Sequence, residues 1–222
     1  MLSNFTVIGG KASEDLAKKI ASKLKGTYLK SELRIFPDGE SKITISGKPN
    51  GKVVVVQSTY PPVDSNLIQA LSLVSKAKKH SSQVIAVIPY LGYARQDKEF
   101  LPGEVVTMSV VANMLKAAGA TKVIVVDIHS KMALNLFKIS ATNVSAISEL
   151  AKYFKKLKLK DPLVVSPDLG GIARARDFAK LFGTRFIALK KQRDRKTGKV
   201  EIKSKNQKSW SAKDCQYQYH FR

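Results

Sequence analysis

Cysteine is nearly missing: Cys215 is the only one in 222 residues. One thiol cannot close an intramolecular disulfide, so a disulfide-stapled scaffold is excluded and a reducing compartment, the cytoplasm, is expected. No run of about 18 apolar residues exists, so no transmembrane helix is expected and no membrane partner. The opening MLSNFTVIGGK has no basic stretch ahead of its apolar residues, so no signal peptide is expected there. Carboxylates are scarce, with 17 Asp and Glu against 39 Lys and Arg, for a net charge of +22. Residues 151–222 hold 20 of the basic residues and 6 of the acidic ones, so about two thirds of the excess lies in the last third. Such a field draws polyanions: nucleotides, sugar phosphates or nucleic acid. Nucleic acid is the least expected, because no basic face interleaved with aromatics and no binding motif is present. Lysine is in any case an ordinary surface residue.

What the chain does have is a regular alternation. Apolar, strand-like runs (FTVIGG, KITIS, KVVVVQS, QVIAVIPY, TKVIVVDIHS, DPLVVSPDLGG, TRFIALKK) are interleaved with amphipathic helical stretches (SEDLAKKIASKLKG, DSNLIQALSLVSKAKKH, GEVVTMSVVANMLKAAG, SAISELAKYFKKL, GIARARDFAKLFG). Ser13 reads as the N-cap of the first helix with Gly26 just past its end, and Asp64 or Ser65 as the cap of the second. Gly119 and Gly183 close the third and fifth. Continuous apolar strands separated by amphipathic helices predict βαβ units, that is, an α/β fold with parallel sheets covered on both faces.

In open α/β sheets ligands bind beyond the carboxyl ends of the strands, so each strand end is informative. KVVVVQSTYPP ends in Gln57, Ser58 and Thr59. VIPYLGYARQDKEFLPGE leaves a buried strand for two tyrosines, a glycine and the polar run from Arg95 to Glu99. The remaining ends carry Asp127 and His129, Ser166 and Asp168, and Lys190, Lys191 and Arg193. Five strands would thus deliver amides, acids and cations to one edge. Asp127 and His129, two apart on a strand, would share a face and suit a metal-bound polyphosphate; a capping aspartate beside an incidental histidine is the alternative. Asp168 precedes Gly170 and Gly171, where backbone N–H groups can approach an anion and the carboxylate can hold Mg²⁺, or simply cap a helix. Lys191 and Arg193 alternate onto one face, where an anion would relieve their repulsion; a solvated charge run is the alternative.

FPDGE (Phe36–Glu40), VVQST (Val55–Thr59), GYARQDK (Gly92–Lys98), VDIHS (Val126–Ser130), NVSAI (Asn143–Ile147) and VVSPDLGG (Val164–Gly171) resemble the ribose-phosphate pyrophosphokinase family, also called phosphoribosyl diphosphate synthetase. The motifs stand in the family's order and cover the chain to about Lys205. The resemblance implies two phosphoribosyltransferase-like domains with parallel sheets flanked by helices, here residues 1–141 and a partial 142–205. It implies transfer of the diphosphoryl group of ATP to the C1 hydroxyl of ribose 5-phosphate, with Mg²⁺, giving phosphoribosyl diphosphate and AMP. Carried onto matching positions, Arg95 and Gln96 would bind ATP. His129 would sit by the phosphates and metal, phosphate contact suiting an imidazole better than Mg²⁺ does. Asp168 would sit near the metal and the ribose. Lys191 and Arg193 would be the catalytic lysine and arginine at the start of a mobile loop, RDRKTGK. The resemblance further implies at least a homodimer: Phe36, Asp38 and Glu40 of one chain would hold the adenine of the ATP bound by Arg95, Gln96 and His129 of another.

The pattern departs from the family after Gly198. The expected strand ending in two acids and the Thr-Gly-Gly-Thr-like loop for the ribose phosphate have no counterpart in KSKNQKSWSAKDCQYQYHFR, so residues 206–222 read as a non-family tail and the second domain as incomplete. A change of reading frame, an appended scar and a natural divergent tail each produce such a shift. A non-catalytic, nucleotide-binding regulatory or truncated family member is therefore the alternative to an enzyme.

Overall fold

The computed structural model describes residues 5–189, together with the backbone of residues 191–193 and 200–202. The chain divides into two compact units, Met1–Val144 and Ser145–Arg222, each described by itself below. Among the described residues no helix is long and apolar enough to cross a membrane.

The first unit is a seven-stranded sheet with helices on both faces. In chain order its elements are β1 (Phe5–Gly9), α1 (Glu14–Leu24), β2 (Thr27–Ile35), β3 (Ser41–Ile45), β4 (Lys52–Val56), α2 (Val63–Lys78), β5 (Val84–Ile88), α3 (Thr107–Ala118), β6 (Lys122–Val126) and β7 (Ser140–Val144). The strand order is β3-β2-β1-β4-β5-β6-β7. All neighbours are parallel except β2 and β3, which form an antiparallel hairpin. The sheet is otherwise parallel as expected; β2 and β3 pair antiparallel because the five residues of Phe36–Glu40 are too short a link for a crossover and allow only a hairpin.

The period-two alternation of side chains explains why the central strands are apolar throughout. In β4, Val53 and Val55 pack with Leu73, Val74, Met108 and Leu115 on the face of α2 and α3. Val54 and Val56 pack on the other face against Ala17 and Ala21 of α1, whose small side chains let that helix lie close. Lys25 and Gly119 close α1 and α3 in the left-handed conformation. Ser13 does stand at the N-cap position of α1, but its hydroxyl makes no cap bond there. It accepts instead from the Ser58 N–H at 2.8 Å, tying the end of β4 to the start of α1. Helix α2 begins at Val63, with Asp64 inside its first turn rather than at its cap. Helix α3 begins at Thr107 rather than Gly103, because Gly103 is left-handed (φ +88°) and holds residues 103–106 in the preceding loop. The expected boundary at 141/142 falls within β7, which pairs with β6 and belongs to the first unit.

The second unit contains α4 (Ile147–Lys156), β8 (Leu163–Ser166), α5 (Ile172–Phe182), β9 (Arg185–Ala188), β10 (Lys191–Arg193) and β11 (Val200–Ile202). Strands β8 and β9 are parallel, and β10 and β11 form a separate antiparallel pair. Its small core is Ala175, Ala179 and Phe186 with Val164 and Ile172. The rings of Phe154, Phe178 and Phe182 meet between α4 and α5. Leu163 and Val165, on the other face of β8, are 46% and 49% exposed, so among the described residues this α/β layer is covered on one side only. The expected strand through Lys191 is two strands, since β9 ends at Ala188. The tail of residues 206–222 and the loop of residues 194–199 lie outside the described residues.

One polar side chain lies deep in the first unit. Gln57, 1% exposed, follows β4 and accepts from the Ala12 N–H at 3.1 Å while its amide nitrogen donates to Asn66 Oδ1 at 3.1 Å. A Cβ at Gly10 would lie 2.1 Å from Gln57 Oε1, so only glycine leaves room for it. Gln57→Ala strands the Ala12 N–H and the Asn66 side chain, and is expected to lower stability by about 1–3 kcal/mol. The measurement is the urea midpoint, which should fall with an unchanged slope; a midpoint equal to wild type contradicts the assignment.

Candidate functional site

Because β1, β2, β4, β5 and β6 run parallel, their carboxyl ends share one edge of the sheet. That edge carries the hairpin tip after β2 and the loops after β4, β5 and β6. Their polar residues divide by what they touch. Gln57, Ser58 and Thr59 are buried and bonded within the protein. Thr59 Oγ1 accepts from the Gly92 N–H at 2.7 Å and donates to the Tyr90 carbonyl at 2.9 Å, fixing the exit of β5 to that of β4. The expectation that these residues meet a ligand is thus corrected: they build the edge.

The loop after β5 is held on every side. A Cβ at Gly92 would lie 2.7 Å from Val63 Cγ1, so this glycine lets the loop press on the start of α2. Tyr93 is left-handed (φ +63°), an uncommon conformation for an aromatic residue. Its hydroxyl donates to Asp64 in the first turn of α2, and that bond, ahead of burial, raises the Tyr93 phenol above its ordinary range. The Gln96 N–H donates to the Tyr93 carbonyl at 2.8 Å, and the Gln96 carbonyl accepts from the Met108 N–H at 3.2 Å. Glu104 accepts from the Gln96 amide nitrogen at 3.2 Å and from the Phe100 N–H at 3.0 Å. Its carboxyl is held below the usual range, first by the Phe100 N–H. Between these ties Arg95 is exposed and forms no ion pair among the described residues.

The hairpin tip is a tight turn. The Phe36 N–H donates to the Glu40 carbonyl at 2.9 Å, and the Gly39 N–H to the Phe36 carbonyl at 2.9 Å. Asp38 Oδ1 accepts from the Glu40 N–H at 3.1 Å. Asp38 and Glu40 are exposed, and Phe36 is half-buried under the Arg34 guanidinium, 5.4 Å from the ring centroid. One face of an aromatic ring is therefore presented beside two carboxylates.

Strand β6 ends at Val126, and Asp127 turns left-handed (φ +43°). The expected shared strand face of Asp127 and His129 is therefore absent, because the turn breaks the alternation. The segment is pinned to β7 instead: the Asp127 N–H donates to the Val144 carbonyl at 2.9 Å and the Ile128 N–H to Asn143 Oδ1 at 2.8 Å. Burial of Ile128 leaves His129 exposed on the carboxyl edge.

In the second unit Asp168 caps the short turn before α5, its Oδ1 accepting from the Gly171 N–H at 2.9 Å. A Cβ at Gly171 would lie 2.4 Å from Ser166 Oγ, which explains the glycine. The capping alternative is thus realised, and Oδ2 makes no hydrogen bond among the described residues. Lys191 and Arg193 are the first and last residues of β10; their side chains lie outside the described residues.

The structure thus brings Phe36, Asp38, Glu40, Arg95, Gln96 and His129 to one edge of one sheet, and places Asp168, Lys191 and Arg193 in the other unit. Sequence reasoning passed over Glu104 and the Tyr93–Asp64 pair. Glu104 looked like a helix residue and Asp64 like a cap, and only the left-handed turn at Tyr93 reveals their partners. No group of three or more His, Cys, Asp or Glu side chains converges among the described residues. That donor set does not cage an ion, but it fits Mg²⁺ that arrives on a polyphosphate and keeps phosphate and water oxygens as its main ligands.

A helix-flanked, mostly parallel sheet with a charged carboxyl edge defines an α/β protein of the kind that takes ligands at that edge. Residues 5–119 match the family model described as the N-terminal domain of ribose phosphate pyrophosphokinase. The ribose-phosphate pyrophosphokinase of Methanobrevibacter smithii is 39% identical over 188 residues, 84% of this chain and 63% of that protein. That of Sulfurisphaera tokodaii is 34% identical over 210 residues, 94% of this chain and 72% of that protein. The crystal structure of phosphoribosylpyrophosphate synthetase from Mycobacterium smegmatis superposes with a TM-score of 0.76 at 27% identity, covering 90% of this chain and 67% of that one. The chain belongs to the ribose-phosphate pyrophosphokinase family. It spans 63% of the length of the Methanobrevibacter relative.

Proposed function

We propose that this chain binds Mg·ATP at the carboxyl edge of the seven-stranded sheet and catalyses transfer of its diphosphoryl group to the C1 hydroxyl of ribose 5-phosphate, in the cytoplasm. The observation that carries this reading is the loop after β5, which holds the exposed Arg95 and the tethered Gln96 on the same edge as His129. A cation about 4 Å from a phosphate oxygen gains roughly 4 kcal/mol at an effective dielectric of 20. A guanidinium without a protein carboxylate is suited to give that energy to a ligand. The C1 hydroxyl oxygen of the acceptor bonds to the β-phosphorus and gives up its proton to solvent, the bond from that phosphorus to the oxygen of the α-phosphate breaks, and AMP leaves. Bound Mg²⁺ would neutralise the polyphosphate, with Asp168 and His129 as the candidate residues to meet it. Lys191 and Arg193 would stabilise the charge that moves onto the leaving AMP.

The hairpin tip supports a site shared between copies of the chain. Strand β2 stands three strand spacings from β5, roughly 14 Å, so the half-covered Phe36 ring lies well to one side of the Arg95 loop of its own sheet. A flat aromatic face beside Asp38 and Glu40 suits adenine, whose exocyclic amine donates to carboxylates. The tip of one chain would thus complete the Arg95, Gln96 and His129 site of a second. A nucleotide-binding, non-catalytic subunit is the second reading, favoured by the one-sided cover of β8 and β9.

AMP release from Mg·ATP, assayed with and without ribose 5-phosphate, separates the two readings. The enzyme reading expects release that depends on ribose 5-phosphate, with Lys191→Ala or Arg193→Ala lowering turnover about 10³-fold or more and leaving ATP affinity within about tenfold. ATP binding without AMP release favours the subunit reading, and full turnover in the variants removes both residues from the site. For the shared site, chains carrying Phe36→Ala are mixed with chains carrying Arg95→Ala. Each mixed dimer should regain one intact ATP site; confirmed mixed dimers that regain none contradict sharing.

A further inference from the structure

The Gln96 amide has a fixed polarity. Its nitrogen lies 3.2 Å from Glu104 Oε2, and an ionised carboxylate can only accept, so the nitrogen must be the atom turned towards it. Glu104 is in turn immobilised: it accepts from the Phe100 N–H at 3.0 Å, and its own N–H donates to the Leu101 carbonyl at 3.1 Å. The Phe100 bond also lowers the proton affinity of the carboxyl. The backbone of Gln96 is held at both ends by Tyr93 and Met108. What remains is Gln96 Oε1, an acceptor with no partner among the described residues and not among the buried unsatisfied atoms.

An acceptor oxygen repels phosphate oxygens, so it is mismatched to the triphosphate that Arg95 suits. It matches a ligand group that donates. Of the nucleobase groups that distinguish one purine from another, the 6-amino group donates and a 6-oxo group only accepts. We propose that Glu104 is a positioning residue which locks Gln96 as a hydrogen-bond acceptor and so selects a purine with an exocyclic 6-amino group over one with a 6-carbonyl. This rests on the reading that the carboxyl edge binds a nucleotide. It adds a residue that touches no ligand itself and sets selectivity through another side chain.

The test compares binding of Mg·ATP and Mg·ITP, which differ at that position, to the full chain by calorimetry. Wild type is expected to bind ATP about tenfold or more tighter than ITP. Glu104→Gln keeps the shape of the side chain but can both donate and accept, so the Gln96 amide is free to reverse. In that variant the ATP:ITP ratio should fall about tenfold, with ITP affinity rising in absolute terms. A merely structural defect would weaken both nucleotides together and raise neither. Should the variant fail to fold, Glu104→Ala, which removes the carboxylate that fixes the Gln96 amide, is expected to lower the ATP:ITP ratio in the same way. An ATP:ITP ratio unchanged by Glu104→Gln overturns the role of Glu104 and leaves the nucleotide site standing. Equal binding of ATP and N6,N6-dimethyl-ATP, which has no 6-amino donor, by wild type also overturns it. Absence of binding by every nucleotide overturns the nucleotide site as well, so the two failures are distinguishable.

Discussion

The parallel pairing of β1, β4, β5 and β6 is the constraint from which the rest of the first unit follows. Parallel strands need crossovers, the crossovers become α2 and α3 on one face and α1 on the other, and both faces of the sheet are then buried. The strands must be apolar along their whole length, as KVVVV is. All polar chemistry is displaced to the strand ends, and parallel direction gathers the carboxyl ends on one edge. The antiparallel β3 does not disturb this, because the turn it shares with β2 also lies there.

On that edge the polar residues fall into two groups with different physical roles. Gln57, Ser58, Thr59 and Asn66 are buried and hydrogen-bonded, Gln57 to Asn66, Ser58 to Ser13 and Tyr60, and Thr59 to Tyr90 and Gly92, as buried polar groups must be. Arg95, His129, Asp38 and Glu40 are exposed. Fixed bonds around the loop order the second group. Thr59 holds Gly92, Asp64 holds the left-handed Tyr93, and Glu104 holds Gln96, so the loop meets a ligand already ordered. Preorganisation of this kind lowers the entropy cost of binding, which otherwise falls on each immobilised side chain.

Much of this was legible in the sequence, for reasons visible residue by residue. The unbroken valines of β4 and the VIAVI of β5 announce buried parallel strands, and Gly119 and Gly183 mark helix ends where the backbone turns left-handed. The GYARQDK loop is visible as a polar exit from an apolar strand. What escaped has a common cause. Strand β7, with sequence SATNV, has too little apolar character to announce itself, and it moves the unit boundary past residue 141. Asp127 and His129 were placed on one strand face, which a single positive φ undoes. Glu104 and Asp64 carry no local signal, because their partners lie across a turn whose shape depends on Tyr93. Periodicity reports on burial, whereas these features depend on tertiary bonds between loops.

Hydrogen exchange read by mass spectrometry, with and without saturating Mg·ATP, tests the central claim that the carboxyl edge of the first unit is the nucleotide site. Slowed exchange is predicted in residues 36–40, 92–104 and 127–130. No change is predicted at the opposite edge, where Lys52 and Lys122 begin β4 and β6 and Lys78 ends α2. Protection confined to that lysine-bearing edge, or no protection anywhere at saturating nucleotide, would contradict the account.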